Sequence, residues 1–180
     1  MNPESPAGPA RTLPEVERYA RHVNEAFVRL LGVLGYGRLF VRASGCRLWD
    51  HEGREYLDFL AGFGAVNLGH NPPKLTSHVR GFLDEEAPNL LHVGPSRHAA
   101  DLAEALVREA GEPFEVCLFG CTGADAVEAG LKLARAATGR RGFVFCQGGF
   151  HGTSLGTLSV MGTPRLRKPF EPLLPDCREV

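Results

Sequence analysis

The chain has 180 residues, is 43% hydrophobic and 23% charged, and sets 20 Lys+Arg against 21 Asp+Glu for a formal net charge of −1. At this size a chain buries about 70% of the surface its unfolded form exposes, so length and composition predict a globular domain and exclude a disordered chain. Balanced charge removes the simplest argument for a nucleic-acid or polyanion binder.

Residues 1–13, with Pro3, Pro6, Gly8 and Pro9, read as a flexible arm. From Pro14 onward, Val16, Tyr19, Ala20, Val23, Phe27, Leu30, Leu31 and Leu34 recur at three- and four-residue spacing, which predicts a helix. Pro14 suits its first position, and Gly35 and Gly37 end it. Three short runs follow: Leu39–Ala43, Arg47–Asp50 and Glu55–Phe59. The turn His51–Arg54 joins the last two, which predicts a small antiparallel meander. Residues 14–72 are therefore expected to form an N-terminal segment of helix and small antiparallel sheet.

Residues 61–73 are a glycine-rich loop, AGFGAVNLGHNPP. Helices are predicted over about Pro73–Glu85 and Arg97–Ala110, the second stopped by Gly111. The apolar run Glu115–Phe119, a helix over Ala124–Thr138 and the apolar run Gly142–Cys146 then alternate. Strand, helix, strand is the signature of a parallel sheet with crossover helices. Residues 73–180 are expected to be the first part of an α/β domain, only begun where the chain stops.

Cys46, Cys117, Cys121, Cys146 and Cys177 are an odd, widely spaced set. They predict free thiols and no disulfide scaffold. Cys117 and Cys121 lie four apart, with no His cluster to complete a metal site. Residues 1–14 hold no apolar signal core, and no stretch approaches the ~18 apolar residues of a membrane span. A soluble cytoplasmic protein, with no membrane or nucleic-acid partner, is expected.

The junction Phe119–Asp125 is the most informative place. Thr122 is a candidate N-cap with Asp125 three residues on, and Gly123 permits another group to approach the backbone. Such a helix start presents free N–H groups and the positive end of a dipole, which suits phosphate. The plain alternative is a well-capped helix. In the same helix Glu128 and Lys132 are spaced for an i,i+4 ion pair. The second candidate, Gln147–Gly152, follows the next apolar run. In a parallel sheet both loops fall on the rim that lines the ligand crevice. Phe150 and His151 there suit a planar ring; the alternative places Phe150 in the core and leaves His151 to the loop.

Two other chemistries are weak. Gly152-Thr153-Ser154-Leu155-Gly156 fits G-x-S-x-G, but Ser154 lies far past Cys146 and no His follows it. Gly120-x-x-Gly123 is not a dinucleotide fingerprint.

The run TGADAVEAGLKLARAATGR, followed by FHGTSLGTLSV, resembles the class III aminotransferases. RLWDHEGREYLDFLAGFGAVNLGHNPPKL and RKPFEPLLPD resemble flanking segments of that family, so the likeness runs from Val16 to Asp176 in order. It implies the fold type I α/β architecture of pyridoxal-phosphate enzymes, here the N-terminal segment and an incomplete large parallel-sheet domain. It implies transfer of an amino group from an amine or amino-acid donor to a 2-oxo acid through pyridoxal 5′-phosphate, in a homodimer. By the resemblance, Gly123 and Ala124, with Thr122 before them, hold the cofactor phosphate. Phe150 stacks on its ring, His151 supports it, and Phe63 faces the substrate. Acetylornithine-type enzymes carry Arg where this chain has Thr153, so a carboxylate clamp is missing there. The family's covalently bonding Lys and ring-nitrogen acid have no counterpart. Lys74, Lys132 and Lys168 match no catalytic position, so no catalytic residue is assigned. The alternative expectation is a catalytically incomplete fragment or remnant without activity of its own.

Overall fold

The meander turns on Asp50, a carboxylate only 1% exposed. In the computed structural model, its Oδ1 accepts from the amides of Glu52 (3.0 Å) and Arg54 (2.9 Å). Its Oδ2 accepts from Arg54 Nε (2.9 Å) and Tyr56 Oη (2.8 Å). Four donors around one buried carboxylate satisfy it and lock the turn between two strands. The structure describes residues 13–88 and 93–180. The chain divides into two compact units, Met1–Asn89 and Leu90–Val180, each described by itself. The expected arm lies, but for residue 13, outside the described residues.

The first unit begins with helices α1 (Pro14–His22) and α2 (Glu25–Val33). The single helix predicted from Pro14 is thus two. Asn24 adopts an extended backbone, and its side chain accepts from the Phe27 amide at 2.9 Å, restarting the helix. An Asn that hydrogen-bonds its own backbone competes with helix continuation, and here it wins over the apolar period. Strands β1 (Phe40–Ser44), β2 (Arg47–Asp50) and β3 (Glu55–Leu57) then form the expected antiparallel sheet in that order, with an irregular register between Phe40 and Arg42. Arg42 stacks over the Trp49 ring at 3.7 Å, and Phe40 meets Tyr56 edge to face at 5.5 Å. The glycine-rich loop folds back on this sheet through reciprocal backbone bonds between Gly45 and His70 (2.9 and 2.8 Å). Helix α3 (Pro73–Asp84) follows.

In the second unit, helix α4 (Arg97–Ala110) ends at Gly111, as predicted. Helix α5 (Gly123–Thr138) ends at Gly139, whose φ of 70° suits glycine. Strand β4 (Phe143–Phe145) leads to the short helices α6 (Leu155–Ser159) and α7 (Pro164–Arg167), then to β5 (Cys177–Glu179). β4 and β5 pair in parallel, Phe143 opposite Cys177 and Phe145 opposite Glu179. The parallel pairing is present, but its partner differs from the expected one. Glu115–Phe119 carries no strand pairing among the described residues, and Val116 stays 87% exposed. A strand exists only through a neighbour's ladder, and an apolar run cannot name that neighbour. The buried centre of this unit is the stretch 156–162 with Phe145, where Leu158, Val160 and Met161 pack together with Thr157 and Ser159.

All five cysteines are free thiols. Burial pushes the Cys177 thiol above its ordinary range. No helix among the described residues is long and apolar enough to cross a membrane, and none of these residues group as a metal site.

Candidate functional site

The start of α5 is built as the capping pattern requires. Thr122 has an extended backbone, and its Oγ1 accepts from the Asp125 amide at 3.1 Å. Asp125 Oδ2 reaches back to the Cys121 amide at 3.2 Å, and the Ala126 amide bonds the Thr122 carbonyl at 3.1 Å. The third and fourth amides of the helix are thereby used. The first two, on Gly123 and Ala124, have no partner among the described residues. Their N–H groups lie at the positive end of a 16-residue helix. A Cβ added at Gly123 would meet nothing within 4 Å, so the space beside that residue is open. At Gly120 a Cβ would stand 2.9 Å from the Asp125 Cβ, which is why the chain can enter the helix so tightly only with glycine there.

The loop after β4 is brought to the same place. Gly148 donates to the Gly162 carbonyl at 2.8 Å, and Gly162 returns a bond to Gly149 at 2.9 Å. Gly162 is buried and has no room for a side chain, since a Cβ would run into the backbone of Cys146, Gly148 and Gly149. The loop is thus pinned to the centre of the unit. Gly152, at φ 112°, then lies against the first turn of α5, where a Cβ would stand 3.1 Å from Ala124 Cα.

Phe150 is 67% exposed, so it is not a core residue. His151 is half-buried, with its ring against Gly149, where a Cβ would come within 2.9 Å of Nε2. Gly152, the residue after His151, thus brings the loop that carries Phe150 and His151 against Ala124 in the first turn of α5. Phe63 belongs to the other unit. It is 91% exposed, at φ 57°, inside a turn whose start is held by Asp58. Asp58 Oδ1 accepts from the Leu60 and Ala61 amides, each at 2.9 Å, and its Oδ2 lies 2.8 Å from His70 Nε2. The Ala61 amide and the His70 ring hold this carboxyl below the usual range against the opposing effect of burial.

Sequence reasoning missed Glu128. The expected ion pair with Lys132 is not formed. Instead Glu128 Oε1 accepts from Ser154 Oγ (2.6 Å) and the amides of Gly156 (2.9 Å) and Thr157 (3.2 Å). The partners lie 26 to 29 residues away, beyond any local pattern. The one hint was the oddly glycine- and hydroxyl-rich GTSLGT run facing a helix Glu. The same bonds absorb Ser154 as a structural hydroxyl.

The start of α5, whose first two amides have no partner among the described residues, meets the loop after β4 where Gly152 lies against Ala124. Residues 35–180 match the family described as Aminotransferase class-III. The chain belongs to the class III aminotransferase family. It is 37% identical over 166 residues to Aminotransferase PigE of Serratia sp., covering 92% of this chain and 20% of that protein. It is 38% identical over 162 residues to the acetylornithine aminotransferase of Archaeoglobus fulgidus, covering 88% of this chain and 40% of that protein. The fold resembles an amine transaminase from an uncultivated Pseudomonas species solved in its PLP-bound form, with TM-score 0.73 and 32% identity over 79% of this chain and 34% of that one. The chain thus spans between 20% and 40% of the length of these proteins.

Proposed function

We propose that this chain binds pyridoxal 5′-phosphate at the start of α5. It would supply the phosphate- and ring-holding part of a transaminase acting on an amine or amino-acid donor and a 2-oxo acid. The observation that carries the reading is the unused pair of amides on Gly123 and Ala124, with Gly152 seated beside them. Two N–H donors and the helix dipole suit a phosphate dianion, and the Thr122 hydroxyl, already accepting from Asp125, keeps its proton to donate. Phe150 offers a ring face for stacking, and His151, packed on Gly149, holds the loop beneath it. Phe63 is the residue for the substrate side.

When bound, the cofactor supplies the electron sink and carries the amino group between donor and acceptor. This chain's residues bind and orient it. No proton-moving residue is assigned among them. Lys74, Lys132 and Lys168 are exposed, on α3, on α5 and just after α7. That observation favours a second reading, a chain that holds the cofactor without turning it over. The family resemblance supports a homodimer, and the free thiols accord with a reducing, cytoplasmic setting.

Titration with pyridoxal 5′-phosphate, followed by its absorbance, tests the reading. Saturable binding that inorganic phosphate displaces is expected. Binding insensitive to phosphate, or none, contradicts it. Adding an amine donor and a 2-oxo acid then separates the two readings by whether the acceptor is aminated.

A further inference from the structure

We infer that Glu128 is a positioning residue of the proposed cofactor site. Its carboxylate holds the aromatic-His-Gly loop on the helix that presents the Gly123 and Ala124 amides. The inference rests on the cofactor reading above.

Glu128 sits in the second turn of α5, on the same helix as the two free amides, and is half-buried. One oxygen, Oε1, takes three donors: Ser154 Oγ, the Gly156 amide and the Thr157 amide. The first of these anchors lies two residues after Gly152 and four after Phe150. The segment between Phe150 and Thr157 is therefore fastened to α5 at two points, through Gly152 on Ala124 and through Glu128. Nothing else ties Ser154 to α5 among the described residues. Ser154 also meets Thr157 Oγ1 at 2.9 Å, so the bonds form one connected set. Gly156 completes the fit, because a Cβ there would overlap the Glu128 carboxylate itself. The amides of α5 and the ring of Phe150 face one ligand only if their two segments keep a fixed separation. Glu128 supplies that fixed separation through its bonds to Ser154, Gly156 and Thr157.

The test compares Glu128→Ala, Glu128→Gln and Gly156→Ala in the 180-residue chain, with pyridoxal 5′-phosphate as probe. Affinity is read by titration, and hydrogen exchange of residues 150–157 is read without ligand. Gln keeps an oxygen where all three donors converge; Ala removes it. Gly156→Ala keeps the Glu and displaces its carboxylate. The expected result is an affinity loss of about tenfold in Glu128→Ala and Gly156→Ala, with Glu128→Gln within about threefold of the unsubstituted chain. Exchange in 150–157 rises in the first two variants only. If Glu128→Ala does not fold, Gly156→Ala and Glu128→Gln carry the comparison. Unchanged affinity in a folded Glu128→Ala or Gly156→Ala, or equal loss in the Ala and Gln variants at Glu128, overturns the inference. An unsubstituted chain that binds no cofactor overturns the underlying reading, and the cofactor role of Glu128 with it.

Discussion

Gly152 rests directly on Ala124: a Cβ added to Gly152 would stand 2.6 Å from the Ala124 Cβ. Real carbons do not approach so closely, so only glycine lets the loop after β4 touch the first turn of α5. The φ of 112° at Gly152 adds a second reason, since side chains rarely tolerate that backbone. The loop and the helix start are thereby one corner, although 28 residues of chain separate their contact points in sequence.

Gly152→Ala is expected to force the two apart. The strained backbone alone costs about 1–3 kcal/mol, and overlap with Ala124 adds to it. Chemical denaturation should show the stability loss, and cofactor titration should show an affinity lower by about tenfold or more. A variant with unchanged affinity would separate the loop contact from ligand binding.

Phe150→Ala is expected to behave differently. The ring is largely exposed, so its removal should leave the melting temperature nearly unchanged. Loss of stacking should weaken pyridoxal 5′-phosphate binding by about three- to tenfold, in line with a ring–ring contact of about 0.5–1.5 kcal/mol. Phe150→Tyr should bind like the unsubstituted chain. Equal affinity in the Ala variant would remove Phe150 from the site.

The first unit is expected to be acid-sensitive. Burial raises the Asp50 carboxyl, but bonds from Tyr56, Arg54 and the Glu52 and Arg54 amides overcome this and hold it well below the usual range. Asp58 is lowered too. A carboxyl lowered in the folded chain contributes stability above its unfolded value, about 4, and loses it as pH falls through the folded value. Trp49, the sole tryptophan, sits beside Asp50 and reports the transition. Its fluorescence should show stability falling steadily below about pH 4, and Asp50→Asn should flatten that fall while lowering stability at neutral pH. An acid limb identical in Asp50→Asn would show that the Asp50 bonds are not its cause.

Local punctuation made much of the fold legible. Pro14 and Pro73 start helices, Gly111 and Gly139 end them, and Thr122 caps α5 through the amide that its spacing to Asp125 foretold. The meander was legible because its turn residues and alternating runs lie within a few residues of each other. What was not legible depends on distant partners or on competing local preferences. Asn24 interrupts an apolar period that continues on both sides of it, because its side chain caps the next turn. Cys177–Glu179 forms a strand only because β4 lies beside it, and its own Cys-Arg-Glu pattern is unremarkable. Glu128 faced a nearby Lys132 in sequence and donors 26 to 29 residues away in space. Glu128 and Ser154 both lie within the family-like runs TGADAVEAGLKLARAATGR and FHGTSLGTLSV, but nothing in either run names the other as its partner.

We propose the Gly123 and Ala124 amides as the groups that bind the cofactor phosphate. Amide NMR of the isotope-labelled chain during titration with pyridoxal 5′-phosphate, and separately with inorganic phosphate, tests it most directly. The Gly123 and Ala124 N–H resonances should move the most with both ligands and saturate together, with Phe150 ring signals moving only for pyridoxal 5′-phosphate. Saturable binding that leaves the Gly123 and Ala124 amides unmoved would contradict the claim.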